Sequence, residues 1–193
     1  MIKRLKPQSE FSRNVLTLMT GTTIAQAIPV AASPILSRIY SPDDFGLCSL
    51  IVGISAVLAV FATGRYEQAI MLPKKNENAA SIVMLSVMLV FLLSITVLLV
   101  VCFFNFQITE LIGNPDVSSA LYFIPCIIFL TGIHTSFNYW CIRKKQYKRL
   151  ARVRISQTSS TVATNTGLGF WPINSVGLLW GVVVGQVVGT LRL

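Results

Sequence analysis

Lysine and arginine in this chain are confined to alternate gaps between its long hydrophobic stretches. The N-terminal tail holds Lys3, Arg4, Lys6 and Arg13, whereas the gap at 37–45 holds only Arg38, against Asp43 and Asp44. The gap at 73–78 has Lys74 and Lys75, and the gap at 107–116 has no basic residue. The gap at 143–154 then carries Arg143, Lys144, Lys145, Lys148, Arg149, Arg152 and Arg154. Basic loops are retained on the cytoplasmic side of a membrane. The alternation therefore predicts a multi-spanning membrane protein with its N-terminus inside.

Composition supports this class and excludes others. Of the 193 residues, 53% are hydrophobic and 12% charged, about half the charged share of a soluble domain. The net charge of +9 lies on loops that flank apolar stretches, so topology accounts for it and no nucleic-acid partner is expected. Cys48, Cys102, Cys126 and Cys141 lie in or beside apolar stretches and read as small buried hydrophobes. There is no Cys-x-x-Cys pair, and His134 is the only histidine, so neither a metal nor another cofactor is expected. The chain has no phosphate-binding Gly-x-x-x-x-Gly-Lys-Ser/Thr loop, no His-Glu-x-x-His and no Gly-x-Ser-x-Gly elbow. Its outer loops are too short for an external catalytic domain, so it is not expected to be an enzyme. The basic start followed by an apolar run imitates a secretory signal, but the run is too long and more membrane-like sequence follows. An uncleaved first helix is expected.

A hydrocarbon core of about 30 Å takes about 20 apolar residues per helix. On that measure the chain is all-α, with six transmembrane helices at about 14–39, 45–72, 79–106, 117–142, 155–171 and 176–191. The first contains Pro29 and Pro34, polar Thr20, Thr22, Thr23 and Gln26, and small or polar residues at Thr17, Gly21, Ala25, Pro29 and Ser33, a four-residue ridge suited to close contact. The third is nearly pure Leu, Val, Ile, Met and Phe. The fourth ends in a polar group, His134, Thr135, Ser136 and Asn138, before Tyr139 and Trp140 at the expected interface. The fifth is rich in Ser, Thr, Gln and Asn, so hydropathy alone makes it a loop. No charge occurs between Arg154 and Arg192, and a crossing here returns Arg192 to the inside. Both facts favour a span shielded from lipid. The sixth carries Gly177, Gly181, Gly185 and Gly189, a stripe that lets another backbone approach closely.

Arg65 and Glu67, placed within the second helix, are costly at that depth and cannot neutralise each other when two residues apart. At least one should face a polar cavity or a partner helix, unless both snorkel. A guanidinium in such a cavity suits phosphate oxygens. His134 is either a satisfied packing residue or a proton carrier. The 143–154 run is a topology determinant, with anionic lipid as the alternative use.

Two stretches carry a resemblance. Leu36-Ser37-Arg38-Ile39-Tyr40-Ser41-Pro42-Asp43-Asp44-Phe45-Gly46 looks like the first external turn of the bacterial polysaccharide-biosynthesis membrane proteins. These are the O-antigen and capsule oligosaccharide-lipid flippases of the multidrug/oligosaccharidyl-lipid/polysaccharide exporter superfamily. Gly64-Arg65-Tyr66-Glu67-Gln68-Ala69-Ile70-Met71-Leu72-Pro73-Lys74-Lys75 resembles the end of that family's second helix. The resemblance extends more weakly over the whole chain. It implies two six-helix lobes facing each other across a cationic cavity, of which this chain resembles the N-terminal lobe only. A truncated or half-length form, a fragment, or an unseen second lobe would follow.

The implied function is movement of an undecaprenyl-diphosphate-linked oligosaccharide across the bacterial inner membrane by alternating access. Other polysaccharide-assembly membrane proteins and membrane lipid would be its partners. Arg65 would hold the diphosphate, and the polar faces of the first and fifth helices, with Gln26 and Asn165, would line the glycan path. The rivals are a drug/cation antiporter lobe of the same superfamily, coupled through Glu67 and His134, and a non-transporting membrane interaction subunit that uses the glycine stripe.

Overall fold

The computed structural model describes residues 6–73, 75–170 and 174–193. Lys3, Arg4, Lys74 and Trp171 lie outside them. Among the described residues every regular element is a helix: α1 (Lys6–Ile39), α2 (Pro42–Thr63), α3 (Tyr66–Ala69), α4 (Asn76–Ile112), α5 (Val117–Ala120), α6 (Phe123–Arg143), α7 (Tyr147–Gly169) and α8 (Asn174–Arg192). Four spans are long and apolar enough to cross a membrane: Asn14–Ile39, Pro42–Thr63, Asn76–Ile112 and Val117–Arg143. Neither α7 nor the described part of α8, Val176–Arg192, meets that measure, so length and composition identify four candidate spans and do not by themselves confirm the count of six.

The reversal between α1 and α2 is written in five residues. Ser41 caps α2: its Oγ accepts from the Asp44 amide at 3.2 Å, and Asp44 Oδ2 accepts from the Ser41 amide at 2.9 Å. This reciprocal box satisfies donors that the first turn of a helix leaves free. Pro42 occupies the first helical position, where a missing N–H costs nothing, and Asp43 and Asp44 oppose the positive end of the helix dipole. Tyr40, 5% exposed, turns inward, and its hydroxyl donates to the Asn165 carbonyl at 2.9 Å. The reversal is thereby tied to α7.

The predicted second helix does not run on to residue 72. It ends at Thr63 because Gly64 and Arg65 both adopt left-handed backbone, with φ of 51° and 58°. The chain then makes the single turn α3 and reaches α4. The fifth helix differs in the opposite direction. It begins at Tyr147 rather than 155, because lysine and arginine are good helix formers and the reversal is completed at Lys145, with φ of 56°. Most of the basic run is therefore the first half of α7 and not a loop.

Helices α2, α4, α6 and α8 pack together around Leu47, Ile51, Val90, Ile128, Leu179 and Val183. Lipid is as apolar as leucine, so close packing and internal polar contacts hold such a bundle. Val90 of α4 lies where a side chain on Gly132 of α6 would sit. Ser94 donates to the Pro125 carbonyl at 2.7 Å, and Asn105 and Ser118 join α4 to α5 through Ser118 Oγ to Asn105 Oδ1, also 2.7 Å. The outer face of α4 is bare hydrocarbon surface, with Met84, Phe103, Phe106 and Leu111 all exposed. Cys102 and Cys126 are exposed as well, contrary to the expectation that all four thiols are buried; in a bundle facing lipid, an apolar residue has no need to turn inward.

The pair α1–α7 lies against α8. Gly21 of α1 meets Ala151 of α7 so closely that a Cβ on Gly21 would fall 2.5 Å from the alanine methyl. The four-residue ridge of α1 is used only in part. Gly21 and Ala25 are buried, but the contact then drifts to Ala32 and Leu36, leaving Pro29 and Ser33 exposed. A straight helix turns by 3.6 residues, so a four-residue ridge walks off a straight partner. Thr20, Thr22 and Thr23 of α1 each donate to the carbonyl four residues earlier.

The glycine ladder of α8 is the socket for the polar ridge of α7. A side chain on Gly181 would occupy the place of the Asn165 amide, one on Gly185 that of the Thr161 hydroxyl, and one on Gly189 would crowd Gln157 and His134, each at 3.2 Å. Gln157, Thr161 and Asn165 recur every four residues, as do the glycines that receive them.

Candidate substrate groove between α1 and α7

An open groove of about 490 Å³ runs along the α1–α7 seam. Its polar lining comes from Thr22 and Gln26 on α1 and from Arg154, Gln157, Thr158, Thr161 and Asn165 on α7. Arg154 is exposed, and its Nη1 donates to Thr22 Oγ1 at 3.1 Å, which holds the guanidinium across the seam. Gln26 is exposed to the groove, whereas Asn165 is 8% exposed with its Oδ1 buried and unpartnered among the described residues. Behind this wall Gln157 Nε2 donates to Gln186 Oε1 at 3.2 Å, and Gln186 Nε2 to Thr131 Oγ1 at 3.3 Å, so polar contacts link α7, α8 and α6.

Of the residues singled out in the sequence, the structure brings Gln26 and Asn165 into this groove and leaves Arg65 out of it. Arg65 stands exposed at the break between α2 and α3, in left-handed backbone, with no side-chain cap. The premise that Arg65 and Glu67 project from opposite sides of one continuous helix is corrected by that break. Glu67 is 8% exposed, and its Oε2 is buried without a partner among the described residues. His134 is half-buried on α6, with Nδ1 likewise buried and unpartnered, and its Cε1 faces Gly189.

Two arginines of the 143–154 run have structural placements that a topology role alone does not describe. Arg154 is the cation of the groove. The signal for it was its register: Arg154, Gln157, Thr158, Thr161 and Asn165 share one face of a helix. Arg143 grips the second motif. Its Nη1 donates to the Ile70 carbonyl at 2.9 Å and its Nη2 to the Pro73 carbonyl at 2.6 Å, with Lys75 O at 3.4 Å. These carbonyls belong to the chain that follows α3, which lacks a helical ladder of its own. Hydrogen bonds to a charged group contribute roughly 1.5–3 kcal/mol each. Arg143→Gln should therefore loosen residues 70–75, read as faster amide hydrogen exchange in that peptide. Arg143→Lys should fall between, since an ammonium cannot reproduce the fork. Unchanged exchange in both variants would show that the turn stands without the clamp.

A bundle with four apolar helices of spanning length and a polar, cation-bearing seam defines a multi-pass membrane protein. The chain belongs to the polysaccharide biosynthesis protein family, whose model matches residues 11–192. Searches of curated proteins and of solved structures found no match.

Proposed function

We infer that the chain is part of a transporter, not an enzyme, that moves an undecaprenyl-diphosphate-linked oligosaccharide from the inner to the outer leaflet of the bacterial inner membrane. It would serve O-antigen or capsule assembly. The observation that carries this reading is the α1–α7 groove, whose lining includes the Arg154 guanidinium together with Gln26, Thr158 and Asn165. A diphosphate needs a cation with several donors. A glycan needs neutral groups that both donate and accept. Arg154 takes the first role, in place of Arg65, and the amides take the second. Movement is by rocking of this lobe against a second one around the groove. An anion leaving a negative interior gains about 2.3 kcal/mol per charge per 100 mV, so a diphosphate needs no ATP.

In this reading α7 and α8 are the fifth and sixth spans. The 23 residues of α7 reach about 34 Å at 1.5 Å per residue. Its polar ridge is covered by α8 and its groove face by substrate or water. Both chain ends then lie in the cytoplasm, where the contacts gather the basic gaps: Arg143 on Ile70, and Arg149 on the Arg192 carbonyl. Reporter fusions after Asp43, Asn114 and Asn174 should read outside, and those after Asn76 and Gln146 inside. An inside signal at Asn174 removes α7 as a crossing.

The function itself is tested by deletion in the host. Surface polysaccharide should be lost while undecaprenyl-linked oligosaccharide accumulates on the inner leaflet. Loss of the polysaccharide without that accumulation would place the chain in glycan synthesis and contradict transport.

A further inference from the structure

We propose that the basic end of the α1–α7 seam binds one anionic glycerophospholipid of the surrounding membrane, at a site separate from the groove. Two adjoining concavities form it. The first, about 470 Å³, is lined by Lys145, Lys148, Arg149 and Arg152, with Asn14 and Gln146 beside them. The second, about 540 Å³, is an apolar channel between α1 and α7 with Leu16, Ile24, Ala151 and Ile155 in its walls. Lys148 and Arg152 line both, so the charge stands where the two meet.

That order of groups is the order of groups in a phospholipid. Lys148, Arg152 and Ile155 follow one face of α7 at helical spacing. Lys148 and Ile155 are about 10 Å apart along the axis, the step from a headgroup phosphate to its acyl chains. Among the described residues, no carboxylate lines either concavity. Arg149 is held by the Arg192 carbonyl at 3.0 Å, which leaves Lys145, Lys148 and Arg152, all exposed, to meet the ligand, the last two at the junction of the concavities. A nucleic acid or an acidic protein segment would use the cations and leave the channel empty. An anionic lipid fills both. The α7 residues of this site are offset around the helix from Arg154, Gln157 and Asn165, so it lies on a different flank from the groove. The bilayer also supplies anionic lipid in excess. These facts favour a bulk lipid over the prenyl-linked substrate.

The full chain in detergent, given equal amounts of phosphatidylglycerol and phosphatidylcholine, is examined by native mass spectrometry. Phosphatidylglycerol should be retained preferentially. Lys148→Gln and Arg152→Gln should each lower its retention roughly five-fold. Lys75→Gln, a basic residue outside both concavities, should leave it unchanged, and excess glycerol 1-phosphate should fail to displace it because the channel requires chains. Both variants replace exposed side chains, and the preference is also read on the unaltered chain, so poor folding of a variant cannot conceal the answer. Equal retention of the two lipids, or equal loss with Lys75→Gln, overturns the proposal. Displacement by undecaprenyl phosphate at equal mole fraction overturns it too, and assigns the site to the prenyl carrier. Because the site is separate from the groove, either result leaves the transport reading to its own test.

Discussion

Gly181→Leu should collapse the folded yield of this protein, and Gly185→Leu should do nearly the same. The Cβ position of Gly181 falls on the Asn165 amide and 3.1 Å from the Thr161 carbonyl oxygen; that of Gly185 falls on the Thr161 hydroxyl and 3.2 Å from the Gln157 carbonyl oxygen. Neither obstacle can retreat easily. The carbonyls belong to α7 itself, and Thr161 Oγ1 donates to its own helix at 3.1 Å. Overpacking a filled site costs about 1–3 kcal/mol and sometimes more, but here the leucine must also part α8 from α7. Parting them exposes Gln157, Thr161 and Asn165 to hydrocarbon, where each uncompensated polar group costs about 1–3 kcal/mol or more. The measurement is the fraction of protein recovered monodisperse from membranes. A double-mutant cycle sharpens it. Asn165→Ala empties the place that a methyl at 181 would take, so Gly181→Ala should be milder in that background than alone. Normal yield for both leucine variants would mean that the ladder faces lipid and that α7 and α8 do not pack as described.

The same two helices show what a sequence can and cannot disclose. Each stripe was legible alone: glycines every four residues on α8, polar residues on α7. A stripe has a period but no address, so nothing local indicates that one stripe receives the other. Hydropathy made α7 look like a loop because it scores a residue as though it faced lipid, whereas Asn165 faces Gly181. The 36–46 motif was more transparent, since a Ser-Pro-Asp-Asp cap is made by neighbours in the chain. The 64–75 motif was not. The residues of Gly64-Arg65 permit either a helix or a left-handed break, and what secures the break's far side is Arg143, distant in sequence. The basic run was read as one quantity because topology counts charges. Structure divides it: Arg143 clamps a turn, Lys148 and Arg152 border the two concavities at the basic end of the seam, and Arg154 enters the groove. Arg65 is costly inside a continuous spanning helix, and the structure ends that helix at Thr63, which leaves Arg65 in the break between α2 and α3.

The largest functional effect is expected at Arg154. Among the described residues it is the only cation lining the groove, and a diphosphate held there without it keeps neutral donors alone. Loss of a charge-assisted contact of roughly 1.5–3 kcal/mol corresponds to about a 10- to 150-fold fall in transport. Arg154→Lys should regain part of that, since it restores charge without the bidentate fork. Gln26→Ala and Asn165→Ala should fall less far, each removing one neutral partner. The fold should survive Arg154→Ala, because the side chain is exposed and gives up a single bond to Thr22. The direct measurement is the rate at which lipid-linked oligosaccharide reaches the outer leaflet in a host lacking the native gene, complemented in parallel with Arg154→Ala and Arg65→Ala at matched abundance. The groove account predicts that Arg154→Ala loses export and Arg65→Ala keeps it. Full export by Arg154→Ala beside lost export by Arg65→Ala would contradict it, and would put the anion at the α2–α3 break instead.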